Sequence, residues 1–396
     1  MEWPGRTPEM MESLIDIIER RFTKSCPDTP LQAGLDVWKQ GKHLEMEQAE
    51  ISFTSLIQDS VSDYQIGQFL TYATPEFLSA DEIAGFASAL RLFASHPVDL
   101  TQAHEGIGDT CGTGGDTVPT FNVSTTIMFI LCGAGLRIAK HGNRAFTSKC
   151  GSADVLEALG VNINLDADKV TKCLSEVKLG FMFAPNFHTA TAKVQRIRKI
   201  LADELPGNLR AKTIFNVLGP LANPANTPWQ LLGVYNEDSA EKLANVIKRL
   251  GLSRGLIVHG RPPGVHGESG SKGLDEASNI SDTVVFELNN NEIAKHVLTP
   301  NDFGLVTSTA SEIAGGDVKR NAEILLGILN GSIKGPKRDL AVANAALGLY
   351  IGRASSSSSD NLSQSLKQYT AEANRVIDDG HALRVLKDLI SFSNRI

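Results

Sequence analysis

Hydrophobic positions change their spacing about a quarter of the way along the chain. Before about residue 100 they recur every three or four positions, which is the spacing of one helix face. Met11, Leu14, Ile15 and Ile18 form one such series. A capping box at Ser79–Glu82 predicts a further helix that runs to Ala94. These residues therefore predict a small helical unit.

From about Gly106, short β-rich runs alternate with amphipathic helical segments. The predicted strands are Ile107–Cys111, Leu136–Lys140, Val161–Leu165, Phe181–Ala184, Gln230–Tyr235 and Gly255–His259. The predicted helices between them are Val123–Cys132, Ala153–Leu159, Ala167–Val177 and Ala240–Leu250. This alternation is typical of a mostly parallel sheet covered by helices, so the predicted fold class is α/β.

Other segments interrupt or extend this pattern. We expect Phe187–Leu201 to be one long basic helix that folds back onto the helical unit. Thr283–Leu288 and Ile293–Leu298 predict a β-hairpin. Arg261–Lys272, rich in Pro, Gly and Ser, and the five-serine run Ser355–Ser359 predict flexible surface insertions.

Composition narrows the class of protein. A length of 396 residues suggests two or three domains, and 42% hydrophobic residues suit a packed core. The net charge of −7 argues against a nucleic-acid partner. Five scattered cysteines form neither a disulfide framework nor a zinc motif. Without a signal-peptide pattern or an apolar run long enough to span a membrane, we expect a cytoplasmic protein with no membrane partner.

The first predicted strand ends in a glycine-rich string, which reads Asp109-Thr110-Cys111-Gly112-Thr113-Gly114-Gly115-Asp116. Glycines let backbone N–H groups approach a phosphate closely, although a simple tight turn would also explain them. Asn122-Val123-Ser124-Thr125 then opens a helix, whose N-terminus favours anions. Plain capping by Asn122 or Ser124 is the alternative interpretation.

Charged residues complete the candidate anion site. Lys140 ends the next predicted strand, where ligands of open α/β sheets bind, and supplies a compact positive charge. Gly151-Ser152-Ala153-Asp154 opens another helix, and Asp275-Glu276 follows a later strand. Adjacent carboxylates at a phosphate site usually hold Mg²⁺, although on their own they could also be surface residues.

Together these segments resemble anthranilate phosphoribosyltransferases. The resemblance is dense from Ile107 to Asn279. Its strings are Gly112–Asp116, Asn122–Thr125, Lys140-His141-Gly142-Asn143-Arg144, Gly151–Gly160, Thr213–Leu221 and Gly273–Glu276. It implies transfer of phosphoribose from 5-phosphoribosyl-1-diphosphate to anthranilate, in tryptophan biosynthesis.

The resemblance also implies roles for residues. Phosphoribosyl diphosphate would be bound by Gly112, Thr113, Gly114, Gly115, Asp116, Thr120, Asn122, Ser124, Thr125, Lys140 and Ser152. Anthranilate would be bound by Gly112, His141, Asn143, His188, Arg198 and Pro220, with His188 and Arg198 spaced along one helix. Two Mg²⁺ ions would be held by Ser124, Asp275 and Glu276. Lys140, Arg198 and His141 are the candidate catalytic residues.

The implied fold has a small helical N-terminal domain at 1–103, joined by returning helices at about 187–222. A large α/β domain with a central, mostly parallel sheet would span 104–396, in the nucleoside phosphorylase-like phosphoribosyltransferase fold. The expected assembly is a homodimer. Departures from the family pattern are Cys150, Lys212, and added residues at Ala202–Leu209 and before Gly273.

Two other functions remain open from the sequence. One is a pyrimidine nucleoside phosphorylase-like enzyme, which shares the fold but would not need two metal ions. The other is a non-enzymatic nucleic-acid-binding relative, which would need a basic groove despite the acidic net charge.

Overall fold

The computed structural model describes residues 3–58, 61–94, 106–115, 118–145, 149–205, 213–264, 271–353 and 361–396. The chain divides into two compact units. A helical unit comprises Met1–Ser95 and His188–Ala222, and an α/β unit comprises His96–Phe187 and Asn223–Ile396. The described helices include none with the length and apolar character needed to cross a membrane.

The helices are α1 (Pro8–Arg21), α2 (Pro30–Lys39), α3 (Met46–Ile57), α4 (Asp63–Tyr72), α5 (Ala80–Leu92), α6 (Val123–Gly133), α7 (Ser152–Ala158), α8 (Ala167–Glu176), α9 (Ala184–Phe187), α10 (Ala192–Glu204), α11 (Phe215–Leu221), α12 (Glu237–Arg249), α13 (Ala310–Ile313), α14 (Val318–Leu329), α15 (Pro336–Arg353), α16 (Leu362–Asp378) and α17 (His381–Ser393). The strands are β1 (Ile107–Gly112), β2 (Arg137–Gly142), β3 (Leu179–Phe183), β4 (Trp229–Gly233), β5 (Arg254–Gly260), β6 (Thr283–Asn289) and β7 (Glu292–Leu298).

The helical unit is organised around aromatic side chains. Phe53 of α3 stacks on Phe86 of α5, with ring centroids 5.0 Å apart. Phe215, from the mid-chain segment, lies 6.0 Å from the Phe53 ring. The Ile214 N–H donates to the Ala73 carbonyl at 3.0 Å. Residues from two distant parts of the sequence therefore form one core.

The strands of the α/β unit form one sheet in the order β3-β2-β1-β4-β5-β6-β7. The first five strands in that order are parallel, while β6 and β7 form the predicted antiparallel hairpin. The chain moves outward from β1 to β2 and β3, and then returns to place β4 on the other side of β1. The carboxyl ends of β1 and β4 therefore flank a topological switch point, where α/β folds bind ligands. The expected fold class is confirmed.

One predicted strand is wrong. Val161, Ile163 and Leu165 are buried in alternation, as a strand would be, but the segment is irregular. The Asn162 N–H donates to the Ser393 hydroxyl of α17 at 3.1 Å rather than to a neighbouring strand. The segment therefore buries side chains against the helices without joining the sheet.

The single helix expected over Phe187–Leu201 is also wrong. α9 ends at Phe187, His188 has non-helical dihedral angles (φ −116°, ψ 50°), and a 3₁₀ turn at Thr189–Thr191 precedes α10. The Thr191 hydroxyl donates to the His188 carbonyl at 2.8 Å, a local bond that competes with helix continuation.

The predicted insertions are only partly described. Arg261 is held by Glu237 at 3.0 Å and by the Asp282 carbonyl at 2.8 Å, so this end of the Arg261–Lys272 segment is anchored. Ala202–Glu204 belong to α10. Residues 206–212, which include Lys212, residues 265–270 and the run Ser355–Ser359 lie outside the described residues.

Candidate active site

The glycine-rich loop leaves β1 at the edge where the parallel strands end. The Thr113 N–H donates to the Gly233 carbonyl at 2.9 Å, which ties the loop to β4. Gly114 has a φ of +68°, and its N–H donates to Asp275 Oδ2 at 2.7 Å. A Cβ at Gly112 would lie 2.5 Å from the same oxygen. The loop thus lets an anionic oxygen approach its backbone, as the sequence suggested.

Lys140 lies near the carboxyl end of β2 with its side chain buried. Its ammonium donates to the Thr110 carbonyl of β1 and to the Ser124 hydroxyl of α6, the latter at 3.2 Å. Burial lowers the pKa of Lys140, and the carboxylates of Asp109 and Glu276 oppose that lowering. Lys140 therefore places its amino group at the strand ends, beside the start of α6.

Asp109, which the sequence analysis did not assign to the site, is the fully buried carboxyl of this cluster. Gln230 Nε2 donates to its Oδ2 at 3.2 Å. Burial raises the pKa of Asp109, and the positive charge of Lys140 opposes that rise. An acidic residue inside a strand of a parallel sheet was the available signal, because such strands are usually buried on both faces.

Asn122 precedes α6 without capping it through its side chain. Its Nδ2 donates to the Cys150 carbonyl at 3.2 Å, and its Oδ1 accepts from Asn321 Nδ2 at 3.1 Å. The interpretation of Asn122 as a plain N-cap is therefore wrong. Asn122 instead links the start of α6 to the segment before α7 and to α14.

Other residues predicted for the site lie on neighbouring segments of the α/β unit. Thr120 forms a single β-bridge with Ala314, and the Thr125 side chain is buried. Ser152 is the first residue of α7, and its hydroxyl lies 3.4 Å from the Asn143 carbonyl. His141 is buried near the end of β2.

The acidic pair, Asp275 and Glu276, belongs to a loop that packs against the ends of β4 and β5. Leu274 and Gly260 exchange backbone hydrogen bonds at 2.8 and 3.0 Å. A Cβ at Gly233 would lie only 1.5 Å from the Asp275 carbonyl oxygen. Asp275 and Glu276 are each only 8% exposed. The close packing therefore fixes the backbone of the acidic pair, whose side chains are buried.

The donor set fits Mg²⁺. Asp275, Glu276 and the Ser124 hydroxyl offer hard oxygen ligands, and Mg²⁺ commonly takes one or two carboxylates while substrate phosphates and water complete its shell. Within the described ranges, no group of three or more His, Cys, Asp and Glu residues is arranged to enclose a metal ion. These residues thus suit a metal shared with a phosphate-bearing ligand rather than an all-protein metal site.

In the helical unit, Arg198 of α10 donates to two side-chain amide oxygens. Its Nη2 donates to Asn216 Oδ1 at 3.2 Å, and its Nη1 donates to Gln195 Oε1 at 3.4 Å. The guanidinium carbon lies 5.8 Å from the Phe215 ring centroid. Burial lowers the pKa of Arg198 to about 10, so the group remains a cation at neutral pH.

His188 lies next to the break before α10. Its Nε2 is 2.9 Å from the Ala222 carbonyl, which can only accept, so Nε2 carries the proton. Burial lowers the pKa of His188 to about 4, which makes the ring neutral at pH 7. Pro220 lies inside the short helix α11.

The structure thus gathers most of the expected diphosphate and metal residues in the α/β unit. Hydrogen bonds connect Gly114 with Asp275, and Lys140 with Ser124. Arg198, His188 and Pro220 belong to the helical unit, where they lie on different segments rather than on one helix. Asp116 lies outside the described residues.

Comparisons with known proteins agree over nearly the whole chain. A sequence profile described as "Glycosyl transferase family, a/b domain" matches residues 104–383, and one described as "Glycosyl transferase family, helical bundle domain" matches residues 38–94. The anthranilate phosphoribosyltransferase of Acetivibrio thermocellus is 38% identical, over 92% of this chain and 97% of the relative.

Solved structures give the same result. The anthranilate phosphoribosyltransferase of Thermus thermophilus aligns with a TM-score of 0.76 and 31% identity, covering 91% of this chain and 99% of that one. The Saccharomyces cerevisiae enzyme, solved in complex with phosphoribosyl diphosphate and Mg, aligns with a TM-score of 0.72 and 28% identity, covering 92% and 98%. With sequence, fold and full-length coverage in agreement, this chain belongs to the anthranilate phosphoribosyltransferase family.

Proposed function

We propose that this protein transfers the phosphoribosyl group of 5-phosphoribosyl-1-diphosphate to the amine of anthranilate, as a step of tryptophan biosynthesis. The products are N-(5-phosphoribosyl)anthranilate and diphosphate. The observation that carries the proposal is the cluster at the ends of β1, β2 and β4. There the Gly114 N–H of the glycine loop donates to Asp275 of the buried acidic pair, and the buried Lys140 donates to Ser124.

Diphosphate binding is assigned to the α/β unit. The backbone N–H groups of Gly112–Gly115 and the start of α6 would receive phosphate oxygens. Further contacts are assigned to Asp116, Thr120, Asn122, Ser124, Thr125, Lys140 and Ser152. The N–H of Gly114 donates to a carboxylate in this structure, which supports its affinity for anionic oxygen.

Two Mg²⁺ ions are proposed, one at Ser124 and one at Asp275 and Glu276. Bound there, Mg²⁺ would neutralise negative charge on the diphosphate. The contribution of the chain is to hold its oxygen ligands in place, since Asp275 and Glu276 are buried in a loop that two strands anchor.

The difficult step is cleavage of the bond between ribose C1 and the diphosphate oxygen. The amine nitrogen forms a bond to C1 while that C–O bond breaks, and the nitrogen then loses a proton. Because an aromatic amine is neutral at pH 7, no strong base is needed. Lys140 and the loop N–H groups stabilise the charge that develops on the departing diphosphate. His141 is proposed to take the proton.

Arg198 is proposed to bind the anthranilate carboxylate. A buried guanidinium, whose pKa is depressed by desolvation, gains strongly from an anionic ligand. The remaining contacts to anthranilate are assigned to Gly112, His141, Asn143, His188 and Pro220. The S. cerevisiae relative has also been solved in complex with 4-fluoroanthranilate, which supports recognition of this substrate class.

The proposed function is tested by the fall in anthranilate fluorescence. We expect a fall only when phosphoribosyl diphosphate and Mg²⁺ are both present. A reaction of orthophosphate with a pyrimidine nucleoside, independent of Mg²⁺, would instead indicate the phosphorylase alternative.

The Arg198 assignment is tested with Arg198→Ala. The apparent KM for anthranilate should rise roughly 10- to 100-fold, because hydrogen bonds to charged groups are worth ~1.5–3 kcal/mol. Arg196→Ala is the matched control, since Arg196 lies on the same helix but is exposed and pairs with Asp63 at 2.7 Å. An unchanged KM in Arg198→Ala would remove the carboxylate assignment.

The homodimer and the cytoplasmic location are proposed from the family resemblance. Light scattering of the purified chain tests the first, and fractionation of source cells tests the second.

A further inference from the structure

Asn344 of α15 is a buried polar residue outside the motifs of the candidate site. It lies among the Leu, Ala and Val residues of 340–347, and its exposed fraction is 0%. Asparagine is a weaker helix former than alanine, and a buried amide is costly unless its polar atoms form hydrogen bonds. The reason for an asparagine at this position should therefore lie in its hydrogen bonds.

The Asn344 amide pairs with both backbone groups of Ala277. Its Oδ1 accepts the Ala277 N–H at 2.8 Å, and its Nδ2 donates to the Ala277 carbonyl at 2.9 Å. Nδ2 also donates to the Leu340 carbonyl of its own helix at 2.9 Å. Because an N–H can only donate and a carbonyl can only accept, these partners fix which way the amide faces. Asn344 thus pairs with Ala277 as a neighbouring β-strand would.

This pairing lies next to the acidic pair. Ala277 directly follows Glu276 and is fully buried. On the other side of the pair, Leu274 exchanges backbone hydrogen bonds with Gly260 of β5 at 2.8 and 3.0 Å. The backbone of the acidic pair is therefore held at two points, one on the sheet and one on α15.

We propose that Asn344 is a positioning residue, which fixes the acidic pair from its C-terminal side and so sets the affinity of the α/β unit for Mg²⁺. This inference rests on the proposed function, because it takes Asp275 and Glu276 as ligands of Mg²⁺. Asn344 acts through the backbone of Ala277, which shares a peptide bond with Glu276. Without the amide, the Ala277 N–H and carbonyl lose their partner, and the segment that carries the carboxylates can shift.

The first measurement is the Mg²⁺ dependence of activity in Asn344→Ala. We expect the Mg²⁺ concentration for half-maximal activity to rise about 10-fold or more, since disturbing the support of metal ligands costs 10- to 100-fold in affinity or activity. At saturating Mg²⁺, kcat should stay within threefold of the unmodified chain and the KM for anthranilate within twofold. The half-maximal concentration does not depend on how much of the variant is folded.

The second measurement is direct binding of Mn²⁺, which suits the same oxygen ligands as Mg²⁺. Electron paramagnetic resonance follows the free ion while the chain is titrated in the presence of diphosphate. Asp275→Asn identifies the site of the acidic pair by the binding that it weakens. The dissociation constant of that site should also rise about 10-fold in Asn344→Ala. A value within twofold of the unmodified chain would overturn the inference.

Asn162→Ala is the matched control, because it removes an asparagine amide from a different link. Asn162 Nδ2 donates to the Ser393 carbonyl of α17 at 3.2 Å, and its Oδ1 accepts the Asn164 N–H at 3.0 Å. We expect its Mg²⁺ requirement to match that of the unmodified chain. If Asn162→Ala raises the requirement as much as Asn344→Ala, lost stability explains the effect and the inference is overturned.

Asn344→Ser provides a second variant if Asn344→Ala does not fold. A helical serine hydroxyl can still donate to the carbonyl four residues earlier, here that of Leu340, but it cannot pair with both backbone groups of Ala277. We expect the same direction of change, with a Mg²⁺ requirement raised at least threefold. An unchanged requirement would show that the pairing with Ala277 does not position the acidic pair.

Asp275→Asn also distinguishes failure of the inference from failure of the proposed function. If Asp275→Asn weakens Mn²⁺ binding while the Asn344 variants stay within twofold of the unmodified chain, the acidic pair binds the metal but Asn344 does not position it. If Asp275→Asn changes neither Mn²⁺ binding nor the Mg²⁺ requirement, the metal assignment fails, and this inference fails with it.

Discussion

Lys140 and Asp109 show how single residues bring charge into a packed interior. Burial disfavours the charged form of each, while the opposite charge of its neighbour favours it. The Lys140 ammonium also donates to a strand carbonyl and to the Ser124 hydroxyl. The α/β unit thus buries a basic side chain at the edge where its parallel strands end, although the chain as a whole carries a net charge of −7.

His188 should make stability depend on pH. Burial lowers its pKa from 6.5 to about 4. Between these two values the unfolded chain binds more protons than the folded chain, so stability falls as pH falls through this window. At pH 5 the loss attributable to His188 is about 2 kcal/mol relative to pH 7, from the linkage of 1.36 kcal/mol per pKa unit.

The measurement is urea unfolding of the unmodified chain and of His188→Gln at pH 7 and pH 5. The glutamine amide can still donate to the Ala222 carbonyl but does not titrate. We expect the unmodified chain to lose about 2 kcal/mol more than the variant between the two pH values. Parallel losses in both proteins would show that His188 does not titrate as inferred.

Secondary-structure elements were predicted well where a local pattern and the tertiary structure agree. β1, α6, the β6–β7 hairpin and the capping box before α5 follow from periodicity, glycine and capping residues. Val161–Leu165 failed because alternating burial does not supply a partner strand. The helix break at His188 was not predicted, because it depends on the Thr191 hydroxyl and on the distant Ala222 carbonyl.

The residues of the candidate site also divide into those that a local motif predicted and those that it did not. Gly114, Lys140 and Asp275 could be proposed from motifs, since each belongs to a short string of neighbouring residues that indicates its chemistry. Asp109 was not assigned from the motifs, although an acidic residue inside a buried strand was a signal, because its partners Lys140 and Gln230 are brought close only by folding. Local sequence therefore identifies candidate ligand-binding residues more readily than the residues that support them.

Gly233, at the end of β4, allows the acidic loop to pack against the sheet. In Gly233→Ala the new methyl group would overlap the Asp275 carbonyl oxygen, at 1.5 Å, and must displace the loop. We expect the Mg²⁺ concentration for half-maximal activity to rise roughly tenfold or more, since disturbing the support of metal ligands costs 10- to 100-fold in affinity or activity. Titration of activity with Mg²⁺ measures this.

Gly255→Ala is the control on the neighbouring strand β5. Its methyl group would lie 2.1 Å from the tip of the Ile247 side chain, and neither Asp275 nor Glu276 is among its three nearest neighbours. Overpacking of this kind costs about 1–3 kcal/mol of stability. Its Mg²⁺ requirement should match that of the unmodified chain. Equal Mg²⁺ requirements in both variants would contradict the role given to Gly233.

At the scale of the whole molecule, the helical unit is discontinuous in sequence. Met1–Ser95 share a unit with His188–Ala222, although the α/β unit supplies all of the chain between them. Lys193 donates to the Val61 carbonyl at 2.8 Å, and Arg91 donates to the Leu221 carbonyl at 2.8 Å. The N-terminal helices thus depend on residues that lie 130 and 132 positions later in the sequence.

A fragment of residues 1–103 should therefore be much less stable than a chain in which 1–95 is joined to 188–222 by a Gly/Ser linker. The short fragment lacks the Phe215 ring, whose removal from a core costs ~3–5 kcal/mol. It also lacks the hydrogen bonds that Val61 and Arg91 form with the mid-chain segment, which are worth about 1 kcal/mol each. These losses approach the 5–15 kcal/mol that typically separates a folded domain from its unfolded state. Urea unfolding followed by circular dichroism should show a cooperative transition for the joined chain and a broad one at low urea for the fragment. Equal midpoints would show that the N-terminal helices form a complete core without the mid-chain segment.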